Sequence, residues 1–150
     1  MSIHRLAEMT WEEVRDARSD GSVAILPVGA VEAHGPHLPL GTDVVIAEAM
    51  ARSCAEKLGE REVVAFVLPP LWYTAAGFAD NFPGTICVDE RTVSDLIRQI
   101  ATSLKGQGIT TLAIANAHLD PTHVGALRAV ASDPPAGSRT SSWGGGVVAR

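Results

Sequence analysis

Two short stretches hold most of the groups able to do chemistry in this chain of 150 residues. The first reads Glu32-Ala33-His34-Gly35-Pro36-His37, followed by Asp43. The second reads Asn116-Ala117-His118-Leu119-Asp120-Pro121-Thr122-His123. Glu32 and His34 are two positions apart, so in an extended segment both side chains point the same way. His118 and Asp120 repeat that spacing. Asp43 falls where a helix is expected to begin, a position that favours a carboxylate with or without a metal. Brought together, Glu32, His34, Asp43, His118 and Asp120 offer two imidazoles and three carboxylates. That set suits two divalent cations, one carboxylate bridging them. Mixed nitrogen and oxygen donors without a thiolate fit Zn²⁺ or Mn²⁺ better than Cu⁺ or an iron–sulfur cluster. His37 and His123 lie close enough in sequence to orient such ligands from behind. Each group also has an ordinary use, the histidines as hydrogen-bonded loop residues and Asp43 as a helix cap.

Apolar blocks of two kinds must position these stretches. Thr10 followed by Glu13 reads as a capping box opening a helix from Trp11 to about Arg18. Val23 to Val28 is an uninterrupted apolar run, the mark of a strand buried on both faces. A polar loop rich in glycine and proline follows, and then helical spacing from Asp43 to Leu58. Val63 to Leu68 predicts a second strand, stopped by Pro69-Pro70. The loop from Leu71 to Gly84 is long and carries Trp72, Tyr73 and Phe78, which either wall a substrate pocket or pack the loop onto the core. A helix is expected from Asp89 to about Lys105, a third strand from Ile109 to Ala115 and a last helix from Thr122 to Val130. Alternating strands and helices predict an α/β fold, a three-layer α/β/α arrangement around a mainly parallel sheet. Ligands of such sheets sit beyond the carboxyl ends of the strands, where both reactive stretches fall.

Composition narrows the function. The formal charge is −5 and the isoelectric point about 5.4, a balance that speaks against nucleic-acid binding. No apolar run approaches the roughly 18 residues of a membrane span. Met1 to Trp11 lacks the apolar core of a signal peptide. Cys54 and Cys87 form no framework and read as reduced thiols of a cytoplasmic protein. Residues 131–150, dominated by serine, proline and glycine, have no periodicity. The domain is therefore expected over 1–130, with 131–150 a flexible tail or an aberrant replacement of a longer continuation. Three strands make a thin sheet, which favours an incomplete domain. A nucleotide-binding Rossmann protein is disfavoured, because no G-x-G-x-x-G follows a strand.

The run from Leu26 through Pro27-Val28-Gly29-Ala30-Val31-Glu32-Ala33-His34-Gly35-Pro36-His37-Leu38-Pro39-Leu40-Gly41-Thr42 to Asp43 closely resembles the signature of the creatininase family of metal-dependent amidohydrolases. Phe82-Pro83-Gly84-Thr85 and Asn116 to His118 fall where that family has its F-P-G-T and N-G-H segments. The resemblance covers residues 5 to 130. It implies a Rossmann-like fold, two metal ions, hydrolysis of a linear or cyclic amide C–N bond in a small molecule, and a homo-oligomer, often a hexamer. Position by position it makes Glu32, His34, Asp43 and His118 ligands, Asp43 bridging, and puts Asp120 where creatininase has a ligating glutamate. The chain departs from the family at Ala117, at Leu119-Asp120-Pro121 and before Phe82, where many relatives carry a histidine. The family's second half, with its catalytic acid/base and substrate contacts, has no counterpart here. Two functions follow, an amidohydrolase using metal-activated water, or a metal-binding remnant that serves only as a non-enzymatic subunit.

Overall fold

The computed structural model of the protein describes residues 3–133, 136 and 139–143. Five strands form one sheet: β1 (His4–Arg5), β2 (Val23–Val28), β3 (Ala65–Val67), β4 (Thr111–Asn116) and β5 (Arg139–Trp143). Their order is β1-β3-β2-β4-β5, and every pairing is parallel. Four α-helices join them: α1 (Trp11–Ala17), α2 (Thr42–Gly59), α3 (Glu90–Gly106) and α4 (Pro121–Ser132). The expected α/β architecture is present.

Local chemistry explains the boundaries. Thr10 and Glu13 close both bonds of a capping box at the start of α1. Asp89 caps α3 through the Arg91 N–H, and Asp120 caps α4, whose first residue is Pro121. The apolar run of β2 is buried on both faces because it lies mid-sheet. Leu26 and Val28 join Phe66, Ile97, Leu112, Ile114 and Leu127 in the core beneath α3 and α4. Ile25 faces the other way, among Ala51, Ala55, Val67, Ala113 and Ala115 beneath α2.

Two findings differ from the sequence expectations. Among the described residues the sheet has five strands rather than three. β1 is two residues long, too short for periodicity to reveal. Within the segment expected as a tail, residues 131 and 132 complete α4, and Arg139–Trp143 pair with β4 from Thr111 to Ala115. Residues 134, 135, 137, 138 and 144–150 of the expected tail lie outside the described residues.

The topology places the site. β2 leads to α2 on one face, whereas its neighbour β4 leads to α4 on the other. Adjacent strands whose connections leave to opposite faces open a crevice at their carboxyl ends. The loops after β2 and β4 line that crevice.

Candidate metal centre

Three segments converge there. Glu32 and His34 come from the loop after β2, and His118 from the loop after β4. Asp43 comes from the first turn of α2, where it is buried. Gly29 permits the approach of α2, since a Cβ there would lie 2.5 Å from the Val44 nitrogen and 2.7 Å from the Asp43 carbonyl carbon. The loop after β2 is itself pinned. Glu32 N–H donates to the Leu40 carbonyl, Ala33 N–H to Thr85 Oγ1 at 3.1 Å, and Ile86 N–H to the Val31 carbonyl. Thr85, the last residue of the F-P-G-T segment, thereby fixes the backbone between Glu32 and His34.

Among the described residues, Glu32, Asp43 and His118 form a group whose donor atoms lie within 4.8 Å of one another. His118 Nδ1 is 3.0 Å from both Glu32 Oε1 and Asp43 Oδ2. His34 joins through the second Asp43 oxygen, its Nε2 lying 2.9 Å from Oδ1 and 3.9 Å from Glu32 Oε1. The outer nitrogens meet backbone carbonyls: His118 Nε2 the Ala75 oxygen at 2.8 Å, and His34 Nδ1 the Glu32 oxygen at 3.1 Å. A carbonyl only accepts, so each outer nitrogen carries the hydrogen. Each inner nitrogen then turns a lone pair toward carboxylate oxygens, an arrangement that requires a cation between them, either a proton or a metal ion. Histidines that hold metals are anchored in this way, with the remote N–H on a carbonyl or carboxylate. The donor set fits a divalent metal.

Electrostatics agree with that geometry. Burial pushes the Glu32 carboxyl up, against the pull of His118. Burial also opposes ionisation of Asp43, but hydrogen bonds from His118 and His34 hold it below the ordinary carboxylate range. Both rings are raised although burial opposes their charging. The Glu32 carbonyl and Asp43 do this for His34, and Asp43 with the Ala75 carbonyl for His118.

The remaining candidates make other contacts. Asp120, a further ligand by its sequence spacing, is the cap of α4, which Pro121 opens. Its Oδ1 accepts from Thr122 and His123 N–H, and its Oδ2 from Phe78 N–H at 3.1 Å. Burial notwithstanding, these three N–H groups keep its carboxyl low. His37 is exposed and lies over the Gly35 turn. His123 is wholly buried behind His118, the two ring centroids 4.9 Å apart, with Nε2 2.9 Å from Asn116 Oδ1. Trp72, Tyr73 and Phe78 are exposed. The Ala75 carbonyl escaped sequence reasoning because a backbone oxygen leaves no mark in residue type.

An all-parallel sheet covered on both faces, with imidazoles and carboxylates meeting above its two central strands, defines an α/β protein with a site suited to divalent metal. Residues 7–140 match the family model for creatininase, described as creatinine amidohydrolase. The chain belongs to the creatininase family. It is 32% identical over 121 residues to creatinine amidohydrolase of Pseudomonas putida, covering 77% of this chain and 45% of that protein. It is 38% identical over 92 residues to the mycofactocin precursor peptide peptidase of Mycolicibacterium smegmatis, covering 59% and 36%. A solved creatininase in its Mn form superposes with a TM-score of 0.76 at 27% identity, over 95% of this chain and 58% of that one. A mutant creatininase of Zn–Zn type gives 0.76 at 26%, with the same coverage. The chain spans about half the length of the relatives it matches. Among the described residues no helix is long and apolar enough to cross a membrane.

Proposed function

We propose that this chain carries the metal centre of a family hydrolase that adds water to an amide C–N bond. Two divalent ions, Zn²⁺ or Mn²⁺, would be held by Glu32, His34, Asp43 and His118, with Asp43 shared between them. One observation carries the reading: the two oxygens of Asp43 each face the inner nitrogen of a histidine whose outer nitrogen is tied to a backbone carbonyl. Divalent ions in such a site supply Lewis acidity, polarising a carbonyl and acidifying water. The protein's own share is positioning. Ala75 and Glu32 hold the ring hydrogens outward, Thr85 fixes the Glu32–His34 backbone, and Gly29 lets Asp43 reach both rings. Burial of Asp43 and His118 keeps bulk water from competing for their donor atoms.

The relatives' names support an amide-type substrate and leave its size open, since one names a small cyclic molecule and another a peptide. Phe78 and Leu119, both largely exposed near the centre, suit either a substrate wall or contact with further copies in a homo-oligomer. A second reading, a metal-holding subunit without turnover, is favoured by Asp120. With both its oxygens engaged and Glu32 and Asp43 serving as ligands, these residues leave no free acid to protonate a leaving nitrogen. Elemental analysis after exhaustive dialysis tests the centre. Up to two divalent ions per chain are expected, and a wild type without metal, or with no more than His118→Ala, overturns it.

A further inference from the structure

Asn116, the last residue of β4, brackets the backbone of His118. Its Nδ2 donates to the His118 carbonyl at 2.7 Å, and its Oδ1 accepts the His118 N–H at 3.2 Å. Oδ1 has a second lone pair, and His123 Nε2 lies on it at 2.9 Å. An amide oxygen only accepts, so Nε2 carries the His123 hydrogen and Nδ1 is left with a lone pair. That Nδ1 is buried and without a partner among the described residues. A buried unpaired nitrogen destabilises a fold, and an apolar side chain of similar volume would not carry that penalty. What the histidine contributes is therefore the bond from its other nitrogen, which fixes the rotation of the Asn116 amide.

We propose that His123 is a positioning residue for the metal centre: through Asn116 it locks the His118 backbone so that Nδ1 faces Asp43 and Glu32. The chain of contacts is short and dry. Asn116 is 4% exposed, His118 2% and His123 0%, so water has no access to replace the missing bond. Without it, Asn116 Oδ1 loses one of two partners, the amide is free to turn over, and the His118 peptide loses its two-sided clamp. The inference rests on the metal reading above and adds a residue to it, in the first turn of α4.

The test uses the whole chain as wild type, His123→Leu and His123→Gln, titrated with Zn²⁺ against a chromophoric chelator. The His118 amide is followed by hydrogen exchange in the metal-free protein. Gln places a donor nitrogen near the position of Nε2. His123→Leu is expected to keep its far-UV circular dichroism, bind Zn²⁺ about 10–100-fold more weakly and exchange the His118 amide faster. His123→Gln is expected to restore both properties. Wild-type Zn²⁺ affinity in His123→Leu, equal weakness of the Leu and Gln variants, or a Leu variant that fails to fold each overturns the proposal. If the wild type itself takes up no Zn²⁺, the metal reading fails. The exchange of the His118 amide then decides the clamp alone.

Discussion

Asp43 Oδ2 stands 3.0 Å from His118 Nδ1, joining residues 75 apart in the sequence. The contact joins the first turn of α2 to the loop after β4, so it forms only when α2 is docked on the sheet. His34, on the other oxygen of Asp43, makes the carboxylate a bridge between two rings. The fold thus holds the rings and carboxylates at contact distance with room for a proton or a metal ion between them, which is what a preorganised ligand set would require.

Asp43 and Asp120 should therefore behave differently. Asp43→Ala removes a contact to each histidine and is expected to empty the centre. Asp120→Ala removes a helix cap and should cost about 1 kcal/mol of stability while leaving metal content near wild type. Metal analysis paired with urea melts separates the two. An emptied Asp120→Ala with a full Asp43→Ala would reverse the roles.

Metal should also stabilise the fold, because the unfolded chain has no assembled site. At a free concentration 100 times Kd, linkage gives about 2.7 kcal/mol. For a domain of this size that corresponds to about 5–10 °C in Tm. Adding a chelator should lower the wild-type Tm by this amount and leave His118→Ala unmoved. An equal shift in both proteins would mean that the ion binds elsewhere.

The spacing of Glu32, His34 and Asp43 and the buried run of β2 made most of the candidate cluster legible, because side-chain types and strand periodicity survive in one dimension. Asp120 shows where that stops. His118-x-Asp120 has the same spacing as Glu32-x-His34, yet Pro121 begins a helix after the first pair and nothing comparable follows the second. Asp-Pro-Thr is itself a cap signal, and the contacts of Asp120 are those of a cap, to Thr122 and His123 N–H, with Phe78 N–H on the other oxygen. The Ala75 carbonyl and the pairing of Arg139–Trp143 with β4 depend on backbone placement, which residue type does not encode.

Gly29→Ala tests how the fold positions Asp43. The added Cβ would press on backbone at the start of α2 rather than on a side chain able to rotate. Overpacking of this kind costs about 1–3 kcal/mol, and the displaced helix should carry Asp43 away from both rings. Metal affinity is expected to fall even at temperatures where the variant is fully folded. Unchanged affinity would mean that α2 slides without moving Asp43.

His123 gives the pH dependence a definite sign. Burial, reinforced by the neighbouring His118, lowers its pKa to about 4, whereas the unfolded ring titrates near 6.5. Between those values the unfolded state binds a proton that the folded state refuses, so this residue's contribution to stability falls as pH drops from about 6.5 to about 4. The full loss is about 3 kcal/mol. The raised rings of His34 and His118 act oppositely in metal-free protein: their contribution is complete at low pH and lost as pH rises through their folded values. Comparing wild type with His123→Gln by urea melts from pH 7 to 4 isolates the first effect. The variant should gain on wild type as pH falls, and a constant difference would contradict it.

The last expectation concerns turnover by this 150-residue chain. Supplied with Zn²⁺ or Mn²⁺, it should hydrolyse linear and cyclic amides poorly despite holding metal. Bound metal would activate water toward the carbonyl carbon, but the C–N bond would break readily only with a positioned acid to protonate the nitrogen. Such a group typically contributes about 10²–10⁴-fold. Glu32 and Asp43 are committed to the histidines, and Asp120 is held by three backbone N–H groups. His123 Nδ1 carries no hydrogen to give. A panel of amides assayed with wild type and His118→Ala decides the matter. Metal-dependent turnover that His118→Ala abolishes would show that the centre finds its acid after all, with release of Asp120 from Phe78 the first place to look.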